Sequence, residues 1–317
     1  MATLTTPQLN ECLQSMSVDR YAAFELATGM QVFKAGNIWW RRVRPFFYRT
    51  LLPFEKYDLN TAANGFGKLG AFQHGVADGQ PFNSYLNPIV FEEPGKYDTR
   101  KLRHSVQARI KKAIKNGVTV SRIVNEREFA ESAYACYLSF YERTHYPFEA
   151  SRRKKDKFAQ WCHALFEYPE VVILGAYAGK ELIAFETCCM VEDVLVLDTL
   201  VNSNKALKLV APDLLTHTCR TIARDQPNIR LIYDSLLGRS AGINQFYFVR
   251  GARVWAVPSV LHMPASFLWL IKKANHGIYQ RLIGLGNEEL LSTYGRPRLL
   301  PAPHAPRPET PVTDMRE

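Results

Sequence analysis

Between residues 171 and 202 the apolar positions stop recurring every three or four residues and become nearly continuous. VVILGAYAG (171–179), ELIAFETCCMVED (181–193) and VLVLDTLVN (194–202) read as three successive strands, short and rich in β-branched residues. Gly179-Lys180 supplies a hairpin turn between the first two. Helical spacing surrounds this block. EREFAESAYACYLSFYERTH (126–145) sets Phe129, Ala133, Cys136, Tyr137 and Phe140 on one face, and a second helix, at 152–167, opens on RRKKDK. After the strands, KLVAPDLLTHTCRTIARD (208–225) predicts a helix with Pro212 near its start. NIRLIYDSL (228–236) predicts a strand, SAGINQFYFVRG (240–251) a short helix closed by Gly251, and ARVWAVPSVL (252–261) a last strand.

Upstream, KYDTRKLRHSVQARIKKAIKNG (96–117) predicts a helix with Ile110, Ala113 and Ile114 on one side and Lys111, Lys112 and Lys115 on the other. Asn116-Gly117 ends it, because glycine enters the left-handed conformation at no steric cost. Val118, Val120 and Ile123 then start a strand. The opening segment up to Met30 reads as a polar helical arm, and 32–91 as aromatic and turn-rich, with glycine turns in NGFGKLG (64–70) and HGVADGQ (74–80). GNIWWRRVRPFFYR (36–49) interleaves aromatics with arginines, a pattern able to stack on bases. It suits equally a packed sheet with arginine on its wet face, and that is the expectation here. Six prolines after Arg296 predict a disordered tail.

Composition narrows this only a little. A hydrophobic fraction of 47% with 12% aromatics belongs to a chain with a real core. The net charge of +10 (40 basic minus 30 acidic residues) favours anionic partners without choosing among nucleic acid, phospholipid, CoA and tRNA. None of the six cysteines forms a C-x-x-C pair or stands at zinc-finger spacing from a histidine, so no metal site is expected. Cys188 and Cys189 point to opposite faces of a strand and suit buried thiols better than a disulfide. The amino terminus lacks a secretory pattern, and a reducing, cytoplasmic setting is expected.

VWAVPSVLHMPASFLWLI (254–271) holds no charge and approaches the length of a membrane span. Pro258, His262 and Pro264 interrupt it, so it divides into a strand and a helix starting near Pro264. That helix, with Phe267, Ile271, Ala274, Ile278 and Leu282 at helical spacing, is expected to pack on the core, the alternative being an interfacial membrane helix.

The order from Val118 onward is strand, helix, helix, three antiparallel strands, helix, strand, helix, strand. It resembles the GNAT acyltransferase fold, and in detail the Fem-type branch, the FemABX-like peptidoglycan aminoacyltransferases and related N-acyltransferases. Four stretches carry the resemblance: RIKKAIKNGVTV, LGAYAGKELIAFE, APDLLTHTCRTIARDQPNIRLIYDS and GINQFYFVRGAR. It implies an α/β fold built on a mixed sheet, with strands four and five splayed to admit the donor. It also implies a tandem: a degenerate GNAT-like half over 1–108, an acyltransferase domain over 109–262, an amphipathic helical region over 263–295, and the proline-rich tail over 296–317. The chain departs from the pattern twice. NSNKALKLVAPD has no glycine where the GNAT phosphate loop Q/R-x-x-G-x-G/A belongs, and the Lys that often follows Phe in the closing helix of this branch is Tyr247.

Acyl transfer to an amine needs a base, donors for the carbonyl oxyanion, and an acid for the leaving group. Asp198 and Glu186 lie mid-strand among apolar neighbours, where a carboxylate must be paired or perturbed. Either can be the base, and either can instead be a structural ion pair. By resemblance Tyr247 is the acid; Leu200, Lys205, Lys208, Asp234 and Ser235 border the donor; His145 and Tyr146 face the acceptor. The co-substrate so implied is an acyl-CoA, an acyl carrier protein or an aminoacyl-tRNA, with an amine acceptor, peripheral contact with the inner membrane surface, and no role for DNA. The competing expectation is a non-catalytic GNAT scaffold that binds RNA or an anionic membrane. GRSAG (238–242) spells G-x-S-x-G and GFGKLG (65–70) spells G-x-G-x-x-G, but Ser-His-Asp hydrolysis is not the expectation for the first, and the second reads as a glycine turn; no Walker loop occurs in the sequence.

Overall fold

The computed structural model describes residues 13–62, 70–145, 150–238 and 241–294. The twelve residues before Leu13, the glycine turn before Gly70, Tyr146 and the proline-rich tail lie outside them. Among the described residues fifteen strands form two mixed sheets. In chain order they are β1 (Ser15–Met16), β2 (Val32–Ala35), β3 (Ile38–Arg44), β4 (Phe47–Thr50), β5 (Lys56–Tyr57), β6 (Ala71–Val76), β7 (Ser84–Leu86) and β8 (Pro88–Glu92). There follow β9 (Val118–Arg122), β10 (Val171–Ala178), β11 (Glu181–Val191), β12 (Val194–Asn202), β13 (Leu231–Leu236), β14 (Arg253–Val254) and β15 (Val257–His262).

The larger sheet runs β14-β8-β13-β12-β11-β10-β9, with β1 added to the end of β11; the smaller runs β2-β3-β4-β6-β15-β7, with β5 on β6. The two sheets exchange strands. β8, from the amino-terminal part, lies between β13 and β14 in the larger sheet, and β15, from the carboxy-terminal part, lies between β6 and β7 in the smaller. The expected single strand over 252–261 is therefore two. After β14 pairs with β8, Trp255 N–H bonds to Pro88 O and the chain crosses to pair with β6 and β7.

Three predicted helices also divide, each for a local reason. The helix over 96–117 begins only at His104, because Asp98 caps a separate 3₁₀ turn at Thr99–Lys101. The one over 208–225 becomes Asn204–Lys208 and Ala211–Arg224, since Pro212 has no N–H with which to continue an earlier helix. The last becomes Ala265–Ala274 and His276–Ile283, where the Asn275 side chain caps the second.

Nearly continuous apolar strands need cover on both faces. One face of the larger sheet packs on the helices Val18–Ala27, Glu126–Thr144 and Lys155–Phe166, with Phe129, Trp161, Phe185, Cys189 and Val196 in its core. The other packs on His104–Lys115 and Ala211–Arg224, with Leu174, Cys188, Leu195, Leu215 and Ile232. Among the described residues no helix is long and apolar enough to cross a membrane.

Candidate active site

The larger sheet opens in the middle. β12 and β13 run parallel but pair only at Val194↔Leu231, Leu195↔Ile232 and Val196↔Tyr233. Beyond these residues β12 stays on β11, β13 stays on β8, and the two part into a fork. Each arm carries a β-bulge at the parting point. On β12, Leu197 pairs with Cys188 and Thr199 with Thr187, so Asp198 is the extra residue. On β13, Tyr233 pairs with Val90 and Ser235 with Ile89, so Asp234 is the extra residue. A bulge bends its strand and re-aims the inserted side chain, which is how two acids come to flank one opening.

The two carboxylates meet different surroundings. Asp234 is fully buried against the helix Ala211–Arg224, and its Oδ2 pairs with Arg220 at 3.3 Å. Glu186 shares that face of the sheet and accepts a hydrogen bond from the Cys219 thiol at 3.2 Å. Burial pushes Glu186 up to about 7; the Cys219 hydrogen bond and Arg220 oppose the rise, and Asp234 adds to it. Burial also lifts Asp234, to about 6, against the pull of Arg220. Tyr247, on the helix Ala241–Phe248, is held protonated by burial and then by the nearby Asp234 and Glu186. The Arg220 guanidinium lies 4.3 Å over the Phe91 ring and donates to Arg250 O. Arg250 in turn pairs with Asp213, which Arg109 also holds at 3.1 Å. Arg220 Nε and Asp234 Oδ1 have no hydrogen-bond partner among the described residues.

Asp198 is half-buried on the opposite face. Its Oδ2 accepts from Thr199 Oγ1 at 3.0 Å and from Thr187 Oγ1 at 3.4 Å. Elements of the first fifty residues surround it. Tyr21 donates to Glu25 at 2.9 Å, and Arg41 of β3 pairs with Glu25 at 3.2 Å. Burial works against the charge of Arg41, but Glu25, Tyr21 and Asp198 more than offset it and hold the guanidinium charged. Tyr233 faces the same space; burial raises its phenol, while Arg41 and Arg49 pull it down. Arg49 of β4 donates to Gln73 at 3.0 Å, and burial lowers it to about 10. The fork thus has a closed acidic face and a partly open face that mixes carboxylates, phenols and two arginines.

The structure brings Glu186, Asp234 and Tyr247 together and sets Asp198 across the sheet from them. Leu200 is half-buried opposite Glu186, and Ser235 follows the β13 bulge. Lys205 is ion-paired with Glu181, and Lys208 is exposed. His145 caps the helix Glu126–Thr144 in a left-handed conformation (φ 46°), exposed, one turn beyond Tyr141, whose carbonyl it binds. Tyr146 lies outside the described residues. Sequence reasoning missed Glu25, Arg41, Arg49, Arg220 and Tyr233. For Arg220 a signal existed: it interrupts the apolar stripe of Leu215, Cys219, Ile222 and Ala223. Arg41 and Arg49 stood in the arginine–aromatic run; they pair across β3 and β4 and, against the expected wet face, lie half-buried within electrostatic reach of Tyr233.

At the head of the helix Ala211–Arg224, Val210 is the N-cap and Pro212 follows without an N–H. Asp213, in the first turn, already holds two arginines. This is the position at which a glycine loop would offer backbone N–H groups to a pyrophosphate.

No family model matches the sequence, and no curated protein matches it either. Solved structures do resemble it. The C-terminal domain of a protein named as a lysylphosphatidylglycerol synthetase, from Agrobacterium fabrum, superposes with a TM-score of 0.55 at 9% identity over 85% of this chain and 96% of that one. FemX gives a TM-score of 0.54 at 11% identity, over 85% of this chain and 98% of that one. L-PGS from Bacillus licheniformis gives 0.53 at 14% identity, over 86% and 99%. Near-complete coverage at such low identity reflects a shared backbone, so the two-sheet α/β build is a fold this chain has in common with these three structures.

Proposed function

We infer that the chain is an acyl- or aminoacyltransferase that acylates an amino group of an acceptor. The observation that carries this reading is the fork, where β12 and β13 part after three paired residues with a carboxylate bulge on each arm. Beyond Val196 no described strand pairs with β12 on its β13 side, an unpaired edge of the kind that can offer backbone N–H groups to an oxyanion. Asp198, half-buried on the open face, takes the proton as the acceptor nitrogen attacks the donor carbonyl. The C–N bond forms, the ester or thioester bond breaks, and Asp198 returns the proton to the leaving oxygen or sulfur. Arg41 and Arg49 favour the oxyanion that builds up between these steps. Glu186, Asp234 and Tyr247 hold the β13 arm of the fork in place from behind.

The donor in this reading is an aminoacyl-tRNA or an acyl carrier protein rather than an acyl-CoA. Pro212 and the ion-paired Asp213 leave little at the helix head for a pyrophosphate. A carrier that brings its phosphates along the protein surface has no need of that cradle. The exposed Lys111, Lys112 and Lys115, and Lys208, offer such a surface charge. The acceptor enters near His145, since Arg143 of the same helix donates to Asn202 O at the far end of β12.

A thermal-shift screen with acyl-CoAs, acyl carrier protein and aminoacyl-tRNA, followed by transfer of a labelled acyl group to amine acceptors, tests the reading. One donor class is expected to raise the melting temperature and to label an acceptor. No stabilisation and no transfer with any donor would favour the non-catalytic scaffold.

A further inference from the structure

The helix Ala265–Ala274 is apolar at seven of its ten positions, yet none of its residues is buried. A helix that is apolar on nearly every side normally sits inside a protein. Here Leu268 and Ile271 rest on the small cluster of Phe47, Ala71, Leu261 and Leu282. Phe267, Trp269 and Leu270 stand out in solvent at 61%, 60% and 54% exposure, and Ile278 of the next helix at 40%. A second aromatic joins them. Phe46 is 65% exposed at the tip of the β3–β4 hairpin, whose neighbours Val43 and Phe47 belong to the same cluster as Leu268 and Ile271. Its φ of 60° is the left-handed turn, unusual for a bulky side chain.

Charge decides what covers this surface. From Ser235 to Asn287 the sequence contains no Asp or Glu, and six Lys or Arg. Lys272 and Lys273 close the exposed helix, with Lys273 Nζ 5.9 Å from the Trp269 ring centroid and Lys272 Nζ 5.1 Å from that of Tyr279. A second copy of the chain seated here would bring these lysines against each other with no local acid to offset them. Nucleic acid would match the lysines but leave Leu270, Phe267 and Ile278 without a partner. A bilayer bearing anionic headgroups satisfies both parts: the aliphatic and aromatic side chains enter the headgroup–acyl boundary, and the lysines remain at the phosphates.

We propose that the exposed face of Ala265–Ala274, with Phe46 and Ile278, docks the protein on an anionic membrane surface without crossing it. This goes beyond the transfer reading and can be read without any catalytic assay.

Co-sedimentation of the full chain with phosphatidylcholine vesicles, with and without phosphatidylglycerol, tests it. Binding is expected only to the phosphatidylglycerol vesicles and should weaken as salt is added. Trp269→Ser with Leu270→Ser should reduce the partition coefficient on the order of tenfold or more, through lost apolar insertion. Lys272→Glu with Lys273→Glu should reduce it roughly fivefold per lysine. Because all four side chains are exposed, the variants should melt with the wild type, which separates lost docking from lost folding. The proposal is overturned if the protein ignores anionic vesicles, or if both double variants sediment like wild type. It is also overturned if the patch instead supports dimerisation or tRNA binding that these variants abolish.

Discussion

The two faces of the fork begin from similar sequence and end in opposite environments. Asp198 in VLVLDTL and Asp234 in LIYDSL are both lone acids among apolar residues, and both become bulge residues where their strands separate. Asp234 turns toward the helix Ala211–Arg224 and is sealed with Arg220, Glu186 and Tyr247. Asp198 turns toward strands of the smaller sheet and keeps an open side, within electrostatic reach of Arg41. An acid in an apolar strand is thus a reliable sign of something built, but its sequence does not say whether that is a scaffold or a reaction site. What covers the face decides.

The sharpest way to break this comparison is to neutralise the open acid. Asn in place of Asp198 keeps an oxygen that can accept from Thr199 and Thr187, so the bulge should survive. Loss of the base should lower transfer to the amine by about 10²–10⁴-fold. The labelled-acceptor assay, read beside a melting curve, checks both halves. A D198N variant with full activity would move the chemistry to the buried face or remove it altogether.

The buried face should respond in stability instead. Arg220→Met retains bulk but leaves Asp234 without its cation in a site closed to water. Breaking a buried pair from one side costs about 3–5 kcal/mol. Urea unfolding of R220M should show that loss, while a cost below about 1 kcal/mol would mean that water reaches the pair and that the face is not closed. Neutralising both partners, as in Arg220→Met with Asp234→Asn, should recover part of the loss, since no bare charge then remains.

Much of this architecture could be read before the fold was seen. The three strands from Val171 to Asn202, the helix Glu126–Thr144 and the turn at Gly117 follow from local periodicity, and the order of elements led to the GNAT resemblance. What escaped was non-local. Nothing in residues 88–92 says that they will sit beside β13, and nothing in Val257–His262 says that it will leave the larger sheet for the smaller. The open face of the fork depends on those same long-range choices. Glu25, Arg41 and Arg49 are more than 145 residues from Asp198 in sequence, so no spacing rule could join them to it. Glu186, Asp234 and Tyr247 were reachable because each lies within the contiguous GNAT-like segment. Asp198 shares that segment, but the side of the sheet on which it falls is set by the bulge.

Glu186 supplies the finest test, because it concerns protons rather than a missing side chain. Its folded-state value, about 7, lies above the ordinary 4.5. Between those two pH values the folded protein therefore holds a proton that the unfolded chain has lost. Stability from this group is complete below about 4.5, falls as pH rises through the window, and levels off above about 7. Asp234, raised from 3.8 to about 6, adds a fall of the same sign in a window starting lower. Each unit of displacement corresponds to about 1.4 kcal/mol. Glu186→Gln keeps an oxygen for the Cys219 thiol and removes the titration. The variant should match wild type near pH 4.5 and become the more stable of the two as pH approaches 8, by roughly 3–4 kcal/mol. If E186Q and wild type instead lose stability in parallel across the window, water reaches Glu186, and the closed face is more open than its packing implies.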